Sequence, residues 1–427
     1  MTAVPGHIQS EAPAPPVPPQ KPGSPARLLQ LDFVRGVAIL LVIGNHFVVP
    51  PEEAGALRQA AGFLHRFGWT GVDLFFVLSG FLVGGLLFKE LRQHGRLDVR
   101  RFILRRGFKI WPGYYVFLAV MLLLELMRGS GIPGALRAIG PNLLHVQNYF
   151  PGGGGHTWSL AVEEHFYLAL PLLLLALIRR GGHYKLRQAM PRIVIGIAAG
   201  CLASRCLNLA IPYADETHFF PTHLRFDSLF IGVLLGYCYY FEPEWLAQLA
   251  KRPRLPLLGL AAVLPAAWFH WTHPLVWTVG FTLLALGCAC ILVKIVHTPL
   301  GEGRLGKALA GPLSRAVAWI GFFSYSIYLW HDMARIPVKH LRKLLLLDAL
   351  PPELRWLTVN LAFLAGALII GVVMARIVEL PALWLRDRFF PGRVSTGLER
   401  PTVPDSGPET RDPGLEVAGE PKSAGYR

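Results

Sequence analysis

About ten apolar stretches recur along this chain, each near the ~20 residues that cross a bilayer as a helix. They fall at approximately 31–49, 68–88, 110–127, 158–178, 193–212, 224–241, 255–271, 275–297, 317–336 and 356–379. The segments between them are short and polar, and their positive charge alternates. Lys89, Arg92, Arg96, Arg100, Arg101, Arg105, Arg106 and Lys109 follow the second stretch; Arg179, Arg180, Lys185, Arg187 and Arg192 follow the fourth. Intervening segments hold few basic residues, apart from 335–355, which carries Arg335, Lys339, Arg342, Lys343 and Arg355. Because cytoplasmic loops collect Lys and Arg, the pattern predicts an all-α, polytopic membrane helix bundle with both termini cytoplasmic. Residues 1–27 and 392–427 are rich in Pro, Gly and polar residues without hydrophobic periodicity, so both read as disordered tails.

Composition supports this class. Hydrophobic residues make up 53% of the chain, charged residues only 16%, and mean hydropathy is +0.42, too apolar for an ordinary soluble protein. The net charge of +15 sits in the loops between apolar runs, which argues for membrane topology and against nucleic acid as a partner. The partner it implies is the lipid bilayer, in which the chain is integral and multi-pass. Cys201, Cys206, Cys238, Cys288 and Cys290 all fall within the apolar stretches and match neither a zinc nor a redox spacing. Neither a metal site nor a disulfide framework is expected.

Against this apolar background the ionisable residues stand out, since charge inside a membrane is costly and normally faces a cavity or a partner. Arg35 and His46 lie on the first stretch, LDFVRGVAILLVIGNHFVV. Eleven residues at ~100° each overshoot three turns by about 20°, so both share one face, about 16 Å apart along the axis. Arg35 lies at the cytoplasmic end with Arg105, Arg106 and Lys109, a group able to hold the phosphates of an anionic ligand. At the opposite depth lie His46, Asp73, His156, Trp158, Glu163, Glu164, Arg225, Asp227 and His331. His46 is the natural base, because imidazole titrates near neutrality, and Asp73, Glu163 or Glu164 is expected to orient it. Plainer roles fit some of these residues as well. Arg225 and Asp227 suit a structural intramembrane pair, Trp158 an interfacial belt, His331 a helix end, and His156 a linker after four glycines.

The strings LDFVRGVAILLVIGNHF, GVDLFFVLSGFL, RRGFKIWPGYY, WSLAVEEHFYL, THLRFDSLFIG, SYSIYLWH and VELP, in this order, resemble the acyltransferase-3 family of integral-membrane O-acyltransferases. The likeness covers about residues 28–385. It implies that residues 28–391 form a transmembrane acyltransferase domain in the cell (inner) membrane. The implied reaction moves an acyl group, acetyl by default, from acyl-CoA to a hydroxyl of a glycan, exported polysaccharide or lipid-linked sugar. It further implies His46 as the essential histidine and Arg35 as its paired arginine. Acyl-CoA would be a co-substrate, with no tightly bound cofactor; Arg105, Arg106 and Lys109 would help hold it, while His156, Trp158, Arg225, Asp227 and His331 would face the acceptor. Some relatives carry a further soluble domain, so this chain is expected to complete transfer alone or to pass the acyl group to a partner. Direct transfer and an acyl-histidine intermediate both fit, and the oligomeric state is not legible.

A transporter or flippase for a glycolipid is the rival from another class, since it too needs buried charges and basic loops. A non-catalytic scaffold is the third reading. Against the transporter stand the lack of a detectable repeat and the arginine–histidine pairing on a single helix.

Overall fold

A computed structural model describes residues 29–48, 55–150 and 152–392. The predicted tail 1–27, and 393–427 of the other, lie outside the described residues. Among the described residues every regular element is helical. The main ones are α1 (Leu29–Asn45), α2 (Thr70–His94), α3 (Val99–Met127), α4 (Trp158–Leu207), α5 (Phe226–Phe241), α6 (Phe281–Val296), α7 (Pro312–Phe322), α8 (Ser324–Trp330), α9 (Arg335–Leu344), α10 (Pro352–Met374) and α11 (Leu380–Phe389). Six helical segments among the described residues are long and apolar enough to cross a membrane: Thr70–His94, Val99–Met127, Gly155–Arg180, Leu186–Ala210, Val276–Val296 and Pro352–Phe389. The other four predicted spans are shorter or broken. α1 has 17 residues and α5 has 16. The stretch 255–271 divides into Leu255–Val263 and Pro265–Trp268, and 317–336 divides at Phe323.

Local chemistry sets the boundaries. α2 stops where Gly95 turns left-handed, at φ 67°, a conformation that costs glycine nothing because it has no Cβ. α3 starts where the Asp98 carboxylate accepts the Arg101 backbone N–H at 3.1 Å, which satisfies one of the free donors of a helix start. α2 and α5 form the most intimate helix pair. A Cβ on Gly80 would collide with the Leu229 carbonyl, and one on Gly232 with the Val77 carbonyl. Small residues let backbones approach this closely where lipid supplies no hydrophobic drive.

A straight helix as long as α4, 50 residues, would extend about 75 Å. Both of its ends nevertheless meet the segment before α5. Trp158 packs on Phe219 and Phe220, while Arg205 bonds the Leu224 carbonyl and Asp227; midway, Arg187 meets Glu242. The chain therefore doubles back through its Arg179–Arg187 region, and two predicted spans lie antiparallel within it.

Contacts between neighbours sort the helix ends into two groups. One end of the bundle joins Gln30 to Thr298, Arg92 to Tyr240, Lys294 to Ala250 and Arg105 to Phe390, and it carries most of the basic residues. Both ends of the described chain lie there. The other end gathers His46, His156, Phe219 and His331. The basic segment that broke the charge pattern, 335–355, begins with α9 at this second end, and none of the α9 residues is buried. Its apolar and basic residues segregate as on a helix lying along a bilayer surface.

Candidate active site

Two cavities lined by described residues bring the polar groups together. The first, toward the basic end, is lined by Arg35, Arg106, Lys109, Ser79, Glu163 and Tyr167 among others. The second, toward the histidine end, is lined by Asn45, His46, His156, Trp69, Trp158 and Asp215 among others. Val72 and Tyr328 belong to both linings, so the cavities abut. Arg35 on α1 and His46 just past its last turn thus open into successive cavities.

In the first cavity Arg35 pairs with Asp32 at 2.9 Å, and Arg106 stacks over the Tyr167 ring at 5.3 Å. Tyr167 donates to Glu163 at 2.9 Å and shares a hydrogen bond of 3.0 Å with Ser79. Glu164, the next residue, is rotated about 100° on the helix and accepts from the Trp111 indole at 3.3 Å instead. Arg105 is not in this lining. It bonds the Phe390 carbonyl and pairs with Asp387 at 3.1 Å, held against the last helix.

His46 follows the last turn of α1, its N–H bonded to the Ile43 carbonyl at 3.0 Å. The buried Asn360 of α10 fixes the chain just beyond, giving and taking hydrogen bonds with the Val48 backbone. Three imidazoles meet here: the His331 centroid lies 4.8 Å from that of His46 and 4.9 Å from that of His156. His331 is fully buried and donates from Nδ1 to the Tyr328 carbonyl at 2.6 Å; His156 donates from Nε2 to the Leu329 carbonyl at 3.1 Å. Arg335 gives an N–H to His46 Nδ1 at 3.1 Å and holds Asp332 at 2.5 Å. The reading of catalytic candidates missed Asp332 and Arg335. Their only sequence signal is a charged pair spaced i, i+3 directly after SYSIYLWH.

None of the three carboxylates expected to orient His46 is bonded to it. Asp73 takes both of its oxygens to Arg225, at 2.7 Å each, and Ser228 adds a third bond. Asp227 is paired with Arg205 at 2.8 Å and accepts from Thr282 at 2.6 Å. Arg225 and Asp227 therefore do not form a pair with each other: each bonds a different helix. All four charged side chains have zero exposure, and Arg225 lies 3.8 Å over the Phe281 ring. Trp158, 6% exposed, stands edge-on to Phe76 and stacks on Phe220, forming the wall between this network and the second cavity.

Fold and site together define a multi-pass membrane protein with two abutting cavities in its bundle, one lined by Arg35, Arg106 and Lys109 and the other by His46 and His156. Residues 28–376 match the acyltransferase domain of the acyltransferase-3 family, and the chain belongs to that family. It is similar to the peptidoglycan O-acetyltransferase OatA of Listeria monocytogenes, 27% identical over 327 residues, covering 70% of this chain and 48% of OatA. It is also 27% identical over 331 residues to "Putative peptidoglycan O-acetyltransferase YrhL" of Bacillus subtilis, covering 70% of this chain and 47% of that protein. The chain thus spans about half the length of the curated relatives it matches. No solved structure matches it.

Proposed function

We propose that this chain transfers an acetyl group from acetyl-CoA to a hydroxyl of a cell-envelope glycan, with peptidoglycan the first substrate to test. One observation carries the reading: Arg35 on α1, with Arg106 and Lys109 of α3, lines one cavity, and His46 just past the end of α1 lines a second that abuts it. Arg35, Arg106 and Lys109 hold the donor's phosphates, since guanidinium and ammonium groups suit phosphate oxygens. The thioester arm then runs along α1 past Val72 and Tyr328. In the second cavity the glycan hydroxyl loses its proton to His46 as its oxygen attacks the thioester carbonyl. The C–O bond forms, the C–S bond breaks, and the electron pair leaves with the CoA thiolate. With the basic end cytoplasmic, in line with its Lys and Arg content, the donor enters from inside the cell and the acceptor meets it near the outer face of the inner membrane. All ten predicted spans cross in this arrangement, the short ones included.

What supports the acceptor class is the likeness to the peptidoglycan O-acetyltransferase OatA. The test is the intact protein in lipid nanodiscs, given labelled acetyl-CoA and soluble peptidoglycan fragments. Label appearing as an alkali-labile ester on the sugar is the expected result. Sugar translocation without ester formation would replace this reading with a transporter.

A further inference from the structure

Hydrogen-bond partners assign the protons on the three clustered imidazoles, because carbonyls only accept and guanidinium only donates. His331 gives its Nδ1–H to the Tyr328 carbonyl, so Nε2 of the neutral ring is a lone pair. That Nε2 is buried and has no hydrogen-bond partner among the described residues. Buried acceptors are nearly always satisfied, and one left open points to a use. His156 cannot fill it, since its own N–H on Nε2 goes to the Leu329 carbonyl. His46 can: Arg335 donates to its Nδ1, which leaves the proton of the neutral ring on Nε2. The ring centroids of His46 and His331 are 4.8 Å apart and tilted by 55°. His331 Nε2 is not bonded to His46 in this structure; a turn of the His46 ring closes an N–H···N bond of ~2.9 Å, at which edge-to-edge imidazoles hold their centroids about 5 Å apart.

We propose that His331 is the positioning residue for His46, taking its Nε2–H when the His46 ring turns toward it, in the place where many catalytic histidines use a carboxylate. The inference rests on His46 being the base. A neutral acceptor fixes the tautomer and the ring plane, because the hydrogen bond made by one ring nitrogen sets the state of the other. The working lone pair is then Nδ1. Arg335 holds that nitrogen in this structure, and its side chain is 48% exposed and already paired with Asp332, so it can yield to the acceptor hydroxyl. The hydroxyl proton moves to Nδ1 as the ester bond forms and the thiolate departs. His331 keeps its single proton throughout.

The test uses the full chain in nanodiscs with labelled acetyl-CoA and soluble peptidoglycan fragments. His331→Asn keeps an amide donor where Nδ1 sits and deletes the acceptor at Nε2; His331→Gln places an amide oxygen near Nε2. His331→Asn should lower kcat by about 100-fold with KM for acetyl-CoA unchanged, as expected when only the positioning of a general base is lost. His331→Gln should recover about tenfold of that loss. If His331→Asn stays within about threefold of the parent while His46→Ala is inactive, the positioning role is overturned and the base survives. Equal losses in the Asn and Gln variants also overturn it, marking His331 as a packing residue. An active His46→Ala would instead remove the reading on which the inference stands.

Discussion

The bundle holds two arginine–aspartate assemblies at its histidine end, built from the same side chains and differing in what surrounds them. Asp73–Arg225 and Asp227–Arg205 are completely buried, walled by Phe76, Trp158, Phe219 and Phe281. Asp332–Arg335 is about half exposed and reaches a histidine that lines a cavity. Sealed charges with matched partners tie helices together. Arg225 Nε and Nη1 and Arg205 Nε have no hydrogen-bond partner among the described residues, but they are walled off from both cavities, and removing one member of a pair strands the other in a medium that cannot solvate it. An exposed pair contributes little to folding but remains free to exchange partners. At equal depth in a membrane protein, then, residue type does not separate scaffold from chemistry. Access to a cavity does.

The largest effect expected from breaking this contrast is at the open site. His46→Ala should lower acetyl transfer by about 10²–10⁴-fold, the usual contribution of a positioned base, while thermal unfolding in detergent stays that of the parent. A large drop in unfolding temperature with partial activity would move His46 into the scaffold.

The sealed network should behave in the opposite way. Arg225→Ala leaves Asp73 charged and buried, and should destabilise the fold by about 3–5 kcal/mol, read as loss of folded protein by fluorescence-detected chromatography. The double change Asp73→Leu with Arg225→Met removes both charges and should restore much of that loss. If the double variant folds and acetylates, the network is structural. If it folds but is inactive, the network takes part in the reaction.

Arg35→Ala sharpens the same distinction at the basic end. Arg35 lines the first cavity whereas Arg105 is pinned to Asp387 and the Phe390 carbonyl. Losing one phosphate contact, a charge-assisted bond worth about 1.5–3 kcal/mol, should raise KM for acetyl-CoA by roughly 10- to 100-fold. Arg105→Ala should leave KM within about twofold of the parent. Equal effects at the two positions would mean that both act through the general field of the basic end.

Much of this site was legible in the sequence, and the part that was not has a geometric cause. Helical periodicity is local, so counting residues places Arg35 and His46 on one side of the first stretch, and in the structure they line two abutting cavities. Partner choice is not local. Arg225 caps the start of α5 with a non-helical backbone and Asp227 lies in its first turn; each finds its partner on another helix. Arg205, inside an apolar stretch, completes the network through Asp227. Glu163 and Glu164 look equivalent as a pair of letters, yet adjacent helical positions diverge by about 100°, and only Glu163 reaches the first cavity. Six of the predicted spans met the length for a crossing, while the others were shortened or broken at points such as Pro265 and Phe323. Hydropathy averages over such breaks and does not register them.

The smallest effect expected is at Arg335, and it discriminates most finely because Arg335, like Arg225, pairs with an aspartate but does so half exposed and beside His46. Arg335→Ala should change stability by less than about 1 kcal/mol, as exposed ion pairs do. Its effect on rate should also differ in sign from the other variants. Arg335 competes with the acceptor hydroxyl for His46 Nδ1, so removing it should raise kcat/KM for the glycan. The rise is bounded at about tenfold, because a hydrogen bond of this kind contributes a net 0.5–1.5 kcal/mol. Steady-state kinetics with soluble peptidoglycan fragments at saturating acetyl-CoA measures it. A fall of more than about tenfold would mean that the guanidinium stabilises charge in the transition state. The open pair would then act on the reacting atoms directly, and Arg335 would be a catalytic group instead of a partner that steps aside.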